Sequence, residues 1–79
     1  MILDHLAEPG EGFIAFATIP TPNGAVRLSS PNTVEQYARD LYAALRLADA
    51  QGLSKIAVMQ PEGDGLAAAI RDRLKRSAH

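Results

Sequence analysis

The sequence predicts the α/β class: a small three-stranded mixed sheet with two main helices, in the order strand, strand, helix, strand, helix. Two observations carry the class. Val34, Tyr37, Ala38, Leu41, Tyr42, Leu45 and Ala48 recur at three- and four-residue steps, the helical period, whereas Phe13–Ile19 and Lys55–Met59 are apolar runs of strand length. A third observation sets the topology. Roughly thirty residues span Ala25–Leu28, the long helix and Lys55–Met59, the length of a right-handed strand–helix–strand crossover, so these two strands are expected as parallel neighbours.

Residues 1–11 read as an acidic lead-in, with Asp4, Glu8 and Glu11 around a Pro9-Gly10 turn, although Ile2, Leu3 and Leu6 are free to dock on the body. Residues 12–79 form the single domain. Both alternating sets of Phe13–Ile19 are largely apolar, which predicts a first strand covered on both faces. Pro20-Thr21-Pro22-Asn23-Gly24 is a turn cluster whose Asn-Gly pair suits a tight reversal, making Ala25–Leu28 an antiparallel second strand. Asn32-Thr33-Val34-Glu35 places a side-chain oxygen three residues before a carboxylate, the spacing that opens a helix, and Gly52 closes it as a left-handed cap. Lys55–Met59 is the third strand, Pro61–Gly65 a turn, and the last helix runs from about Asp64 to near Ala78. With both helices on one face of so small a sheet, the doubly apolar first strand predicts an uncovered surface, and hence a partner, a homodimer or a missing domain.

Composition narrows the function. At 79 residues, 47% hydrophobic and 22% charged, the chain is a folded globular domain, near the size where one core is only just sufficient. A net charge of −1 gives no global reason to seek nucleic acid or an anionic membrane. The absence of cysteine excludes disulfides, thiolate ligands and thiol nucleophiles. No uncharged apolar run is long enough to span a bilayer, so no membrane partner is expected and a cytoplasmic location is.

The candidate sites are modest. Gly63-Asp64-Gly65 lies between a strand and a helix, where backbone amides can hold an anion. It lacks the third glycine and the lysine of phosphate loops, and Glu62 and Asp64 repel anions, so a helix-starting turn with Asp64 as cap or first-turn carboxylate is the better reading. Arg71, Arg73, Lys75 and Arg76 put four of the eight basic residues into the last nine positions, where they complement a helix dipole or, alternatively, touch tRNA. Arg73 falls in the apolar stripe of Leu66, Ala69, Ile70 and Leu74, and Asp49 sits at the edge of the first helix's apolar face. An Asp49–Arg73 bridge between helices would reconcile the two, with a ligand-facing Arg73 as the alternative. His5 and His79 are isolated, and Ser29 and Ser30 have no paired base. No metal site, cofactor or catalytic residue is therefore predicted.

Leu41-Tyr42-Ala43-Ala44-Leu45-Arg46-Leu47-Ala48-Asp49, then Ile56-Ala57-Val58, then Glu62-Gly63-Asp64-Gly65-Leu66 and the ending Asp72-Arg73-Leu74-Lys75-Arg76-Ser77-Ala78 together resemble the C-terminal domain of threonylcarbamoyl-AMP synthase, in order and spacing. The resemblance covers about Val26 to Ala78. It implies a Rossmann-like accessory domain, non-enzymatic by itself, because the family's use of threonine, bicarbonate and ATP in tRNA modification belongs to a separate N-terminal domain. It also implies association with a synthase core or with itself, and makes Arg46, Asp49, Arg71, Asp72 and Arg73 the expected interaction residues. Asp40 stands where the family often has asparagine, and the chain is shorter than the usual domain.

Overall fold

The computed structural model describes residues 1–77. The chain forms β1 (Ile2–Leu3), β2 (Gly12–Ile14), β3 (Val26–Ser29), α1 (Val34–Ala50), β4 (Ile56–Val58) and α2 (Leu66–Ser77). The class is as expected, but the sheet has four strands, not three, in the order β1-β4-β2-β3. Every pairing is parallel. The added strand comes from the lead-in: Ile2 and Leu3 pair with Ala57 and Val58. The expected end of the last helix near Ala78, and His79, lie outside the described residues.

Three sequence expectations are corrected here. The first strand stops at Ile14 instead of continuing to Ile19, because the chain turns away to cross the sheet; Ala17 and Thr18 are exposed. It pairs with β3 in parallel, Gly12 beside Val26 and Phe13 beside Arg27, so the Asn23-Gly24 turn makes no hairpin. That turn instead finishes the crossover: Ala25 N–H donates to Pro22 O at 3.0 Å, and Gly24 takes a φ of 81°. Finally, β3 and β4 are parallel but not neighbours, since β2 lies between them.

Both helices pack on one face of the sheet. Ile14, Leu28 and Val58 meet Tyr37, Leu41, Ala44 and Ala48 of α1 and Ile70 and Leu74 of α2. The opposite face carries Phe13 and Ala57, buried with Ala7 and Ala15 and flanked by Ile19 and Ala25. Phe13 is 0% exposed. The expected uncovered sheet surface is therefore absent, because the chain's own segments around Ala7 and along residues 15–25 lie over it.

A crossover without a helix leaves backbone carbonyls in need of donors. Arg27 supplies them. Projecting from β3, its guanidinium donates to Ala15 O, Phe16 O and Ile19 O at 2.7–2.9 Å and to Thr21 Oγ1 at 3.0 Å, while its Nε reaches Ser29 O at 2.7 Å. It also stands 5.2 Å from the centre of the Phe13 ring. The planar five-donor fork suits this task where an ammonium would not.

α1 starts one residue later than the Asn32–Glu35 spacing suggests. Thr33 is the cap, with its Oγ1 accepting from Gln36 N–H at 3.1 Å, and Gln36 Oε1 reaches back to Asn32 N–H at 2.8 Å. Its end is as expected. Gly52 has a φ of 70°, Gly52 N–H bonds Asp49 O and Leu53 N–H bonds Ala48 O, the paired closure of a Schellman motif.

Candidate functional site

The main concavity is a cleft of about 870 Å³ at the carboxyl ends of the strands, lined by Asp4, Phe16, Ile19, Val34, Met59–Gly63 and Arg71. Parallel sheets place their ligand crevices at this edge, where the loops leaving each strand converge. Each wall has a separate origin. Asp4 follows β1, Phe16 and Ile19 belong to the crossover pinned by Arg27, Val34 opens α1, and residues 59–63 lead from β4 towards α2.

The polar groups of the cleft are largely engaged with the chain itself. Asp4 has a φ of 58°, a left-handed conformation that aspartate tolerates, and its N–H donates to Val58 O at 2.7 Å. Its two carboxylate oxygens accept from Gln60 N–H at 3.0 Å and Gln60 Nε2 at 2.7 Å. Tyr37 lies beneath, its hydroxyl donating to Met59 O at 3.0 Å and its ring 5.3 Å from that of Phe16. Burial, and secondarily the negative charge of Asp4, push the Tyr37 phenol well above its ordinary pKa.

Arg71, an expected interaction residue, reaches back from α2 to this loop. Its Nη1 donates to Pro61 O at 2.9 Å and Gly63 O at 2.8 Å. The guanidinium fastens the loop before its own helix. Gly63, with a φ of 114°, and Gly65, with a φ of 61°, shape that loop. Asp64 does not act as the helix's first-turn carboxylate: α2 begins at Leu66, its first turn has no acidic residue, and Ala69 N–H bonds Gly65 O. Glu62 on the cleft wall and Arg71 held by two carbonyls leave the Gly63–Gly65 turn poorly suited to an anion.

The other expected residues lie on the outer helical surface. Asp49 and Arg73 are both exposed and are not paired with each other; the ion pairs among the described residues are Arg39–Asp40 at 3.6 Å and Asp72–Arg76 at 2.8 Å. The inferred bridge fails because Arg73 has no need of one: its position on the stripe brings it to the solvent edge between the helices. Arg46 lies over the ring of Tyr42, 5.6 Å from its centre.

Sequence reasoning missed Asp4, Phe16 and Gln60 as cleft residues and Arg27 as the support of one wall. Asp4 and Gln60 are 56 positions apart, so no local spacing joins them. The signal for Phe16 was present as an aromatic residue in the middle of the Phe13–Ile19 apolar run. Among the described residues no cluster of acidic and histidine side chains is arranged to hold a metal ion, and no helix is long and apolar enough to cross a membrane.

No curated protein and no solved structure matches the chain. The family model described as "Threonylcarbamoyl-AMP synthase, C-terminal domain" matches residues 3–79, which takes in the second residue of β1, the Arg27-pinned crossover, both helices and every wall of the cleft. With nearly the whole chain covered and the α/β architecture in place, the protein belongs to the threonylcarbamoyl-AMP synthase C-terminal domain family.

Proposed function

We propose that the chain is a non-catalytic accessory module of threonylcarbamoyl-adenylate synthesis for tRNA modification, acting in the cytoplasm by association with a synthase catalytic core. The family match over residues 3–79 carries this reading. The geometry favours association over chemistry: most polar groups at the cleft are bound to backbone or to one another, with Tyr37 on Met59 O, Arg71 on Pro61 O and Gly63 O, and Asp4 on Gln60, while Gln60 Oε1 is buried without a partner. A group held by several internal bonds is a poor proton carrier or nucleophile.

The reading is tested by following ATP consumption in the presence of threonine and bicarbonate. The chain alone is expected to show none, and a catalytic core is expected to change its rate when the chain is added. Turnover by the isolated chain, or a core rate indifferent to saturating chain, would contradict it. Contact with tRNA is a weaker reading, because Arg71 is engaged internally and Arg76 with Asp72.

A further inference from the structure

We propose that the cleft at the carboxyl ends of the strands binds a small organic cation, an apolar body carrying an ammonium group. The proposal goes beyond association: it concerns a ligand taken by the chain alone, and its failure would leave the association reading standing.

β2 and β4 are neighbours, and the segments that leave them diverge. Residues 15–25 run from β2 over the face of Phe13 and Ala57, whereas the segment after β4 leads to α2 on the face of Ile14, Leu28 and Val58. Adjacent parallel strands whose connections part to opposite faces leave a crevice between them, the usual ligand position in an open parallel sheet. The cleft occupies that position, and its volume of about 870 Å³ is that of a small-molecule site. Phe16, Ile19, Val34 and Met59 give it apolar walls, each side chain half-buried.

The polar lining decides the charge of the ligand. It holds two carboxylates, Asp4 and Glu62, against one guanidinium, Arg71. Both carboxylates are exposed, and neither has an ion-pair partner among the described residues. The donors are largely spent within the chain: Met59 N–H on Ile14 O at 2.8 Å, Gln60 N–H and Nε2 on Asp4, and Arg71 Nη1 on Pro61 O and Gly63 O. Acceptors remain. Each Asp4 oxygen takes one bond from Gln60 and has a further lone pair, the Glu62 carboxylate is open to solvent, and Gln60 Oε1 is buried without a donor. A lining with acceptors to spare and an excess of negative charge repels phosphate, the common guest of such a crevice. It favours an N–H-bearing cation whose body lies against Phe16 and Met59.

The test uses tryptamine as the probe, beside indolepropionate, its anionic near-isostere, and ethylindole, the neutral one, and follows backbone amide shifts of the isotopically labelled full chain by NMR. Tryptamine is expected to shift the amides of Phe16, Met59, Gln60 and Gly63 saturably, with a Kd of about 1 mM or below. Both analogues should bind there about tenfold more weakly or not at all. Raising salt should weaken tryptamine and leave ethylindole unchanged. Glu62→Gln and Asp4→Asn should each weaken tryptamine about threefold, and Glu62→Lys about tenfold. Asp4 also holds Gln60, so Asp4→Asn alone would not separate binding from folding. Glu62 is exposed and has no ion-pair partner among the described residues, so its variants are expected to keep the fold, which their spectra check. The absence of a saturable tryptamine shift, equal binding of indolepropionate, or shifts confined to the outer surface of the helices would each overturn the proposal. Tryptamine binding indifferent to Glu62→Lys would overturn it as well.

Discussion

Arg27 does for the crossover what a helix does in most parallel connections: it satisfies carbonyls that would otherwise be stranded over the sheet. Burial lowers its pKa without removing its charge at physiological pH. Arg27→Met should cost about 3 kcal/mol in urea unfolding, since hydrogen bonds to a charged group contribute roughly 1.5–3 kcal/mol each and are not additive. Arg27→Lys should recover only part of that, because one ammonium cannot serve Ala15, Phe16, Ile19 and Ser29 together. Tyr37 makes a pH-dependent contribution. Its folded pKa is raised, first by burial and then by Asp4, so its share of stability is present below the unfolded phenol value of about 10 and is lost as pH rises beyond it. Between about pH 8 and pH 11, the unaltered chain should therefore lose more stability than Tyr37→Phe. At neutral pH the same substitution should cost about 1 kcal/mol for the bond to Met59 O. Equal pH slopes for the two chains would show that Tyr37 is not held protonated by its surroundings.

At the scale of the element, α1 shows how much local sequence can specify. Its stripe, its cap region and Gly52 were all readable, because each depends on residues within a turn or two of one another. Even the shift of the cap from Asn32 to Thr33 is a choice between adjacent residues with similar chemistry. Thr33→Ala should lower stability by about 1 kcal/mol. Gly52→Ala should cost about 1 kcal/mol although its new methyl meets nothing within 4 Å, since the cost lies in the positive φ. The strands were less readable. β1 has two residues and no periodicity to detect, and the orientation of β2 and β3 depends on Arg27, Phe13 and the path of residues 15–25. Asn23-Gly24 is a strong turn signal, yet a turn signal does not reveal which strands it joins.

The whole molecule brings together what no single segment contains. The cleft joins residues from positions 4 to 71, and its walls exist because β4 is inserted between β1 and β2. That insertion was invisible in the chain, as was the Asp4–Gln60 contact it creates. The residues of the α1–α2 surface were more accessible: Arg46, Asp49 and Arg73 were picked out from the helical pattern and the family resemblance, although the proposed Asp49–Arg73 pair does not form. The expected bare sheet face was also absent, since a chain of 79 residues uses its loops to cover Phe13 and Ala57. The central claim is association with a synthase core, and the most direct measurement is co-purification of the tagged chain from its native cells, with the recovered proteins identified and quantified by mass spectrometry. A threonylcarbamoyl-AMP synthase core recovered in near-equal amount is the predicted result; recovery of the chain without that core would contradict the claim.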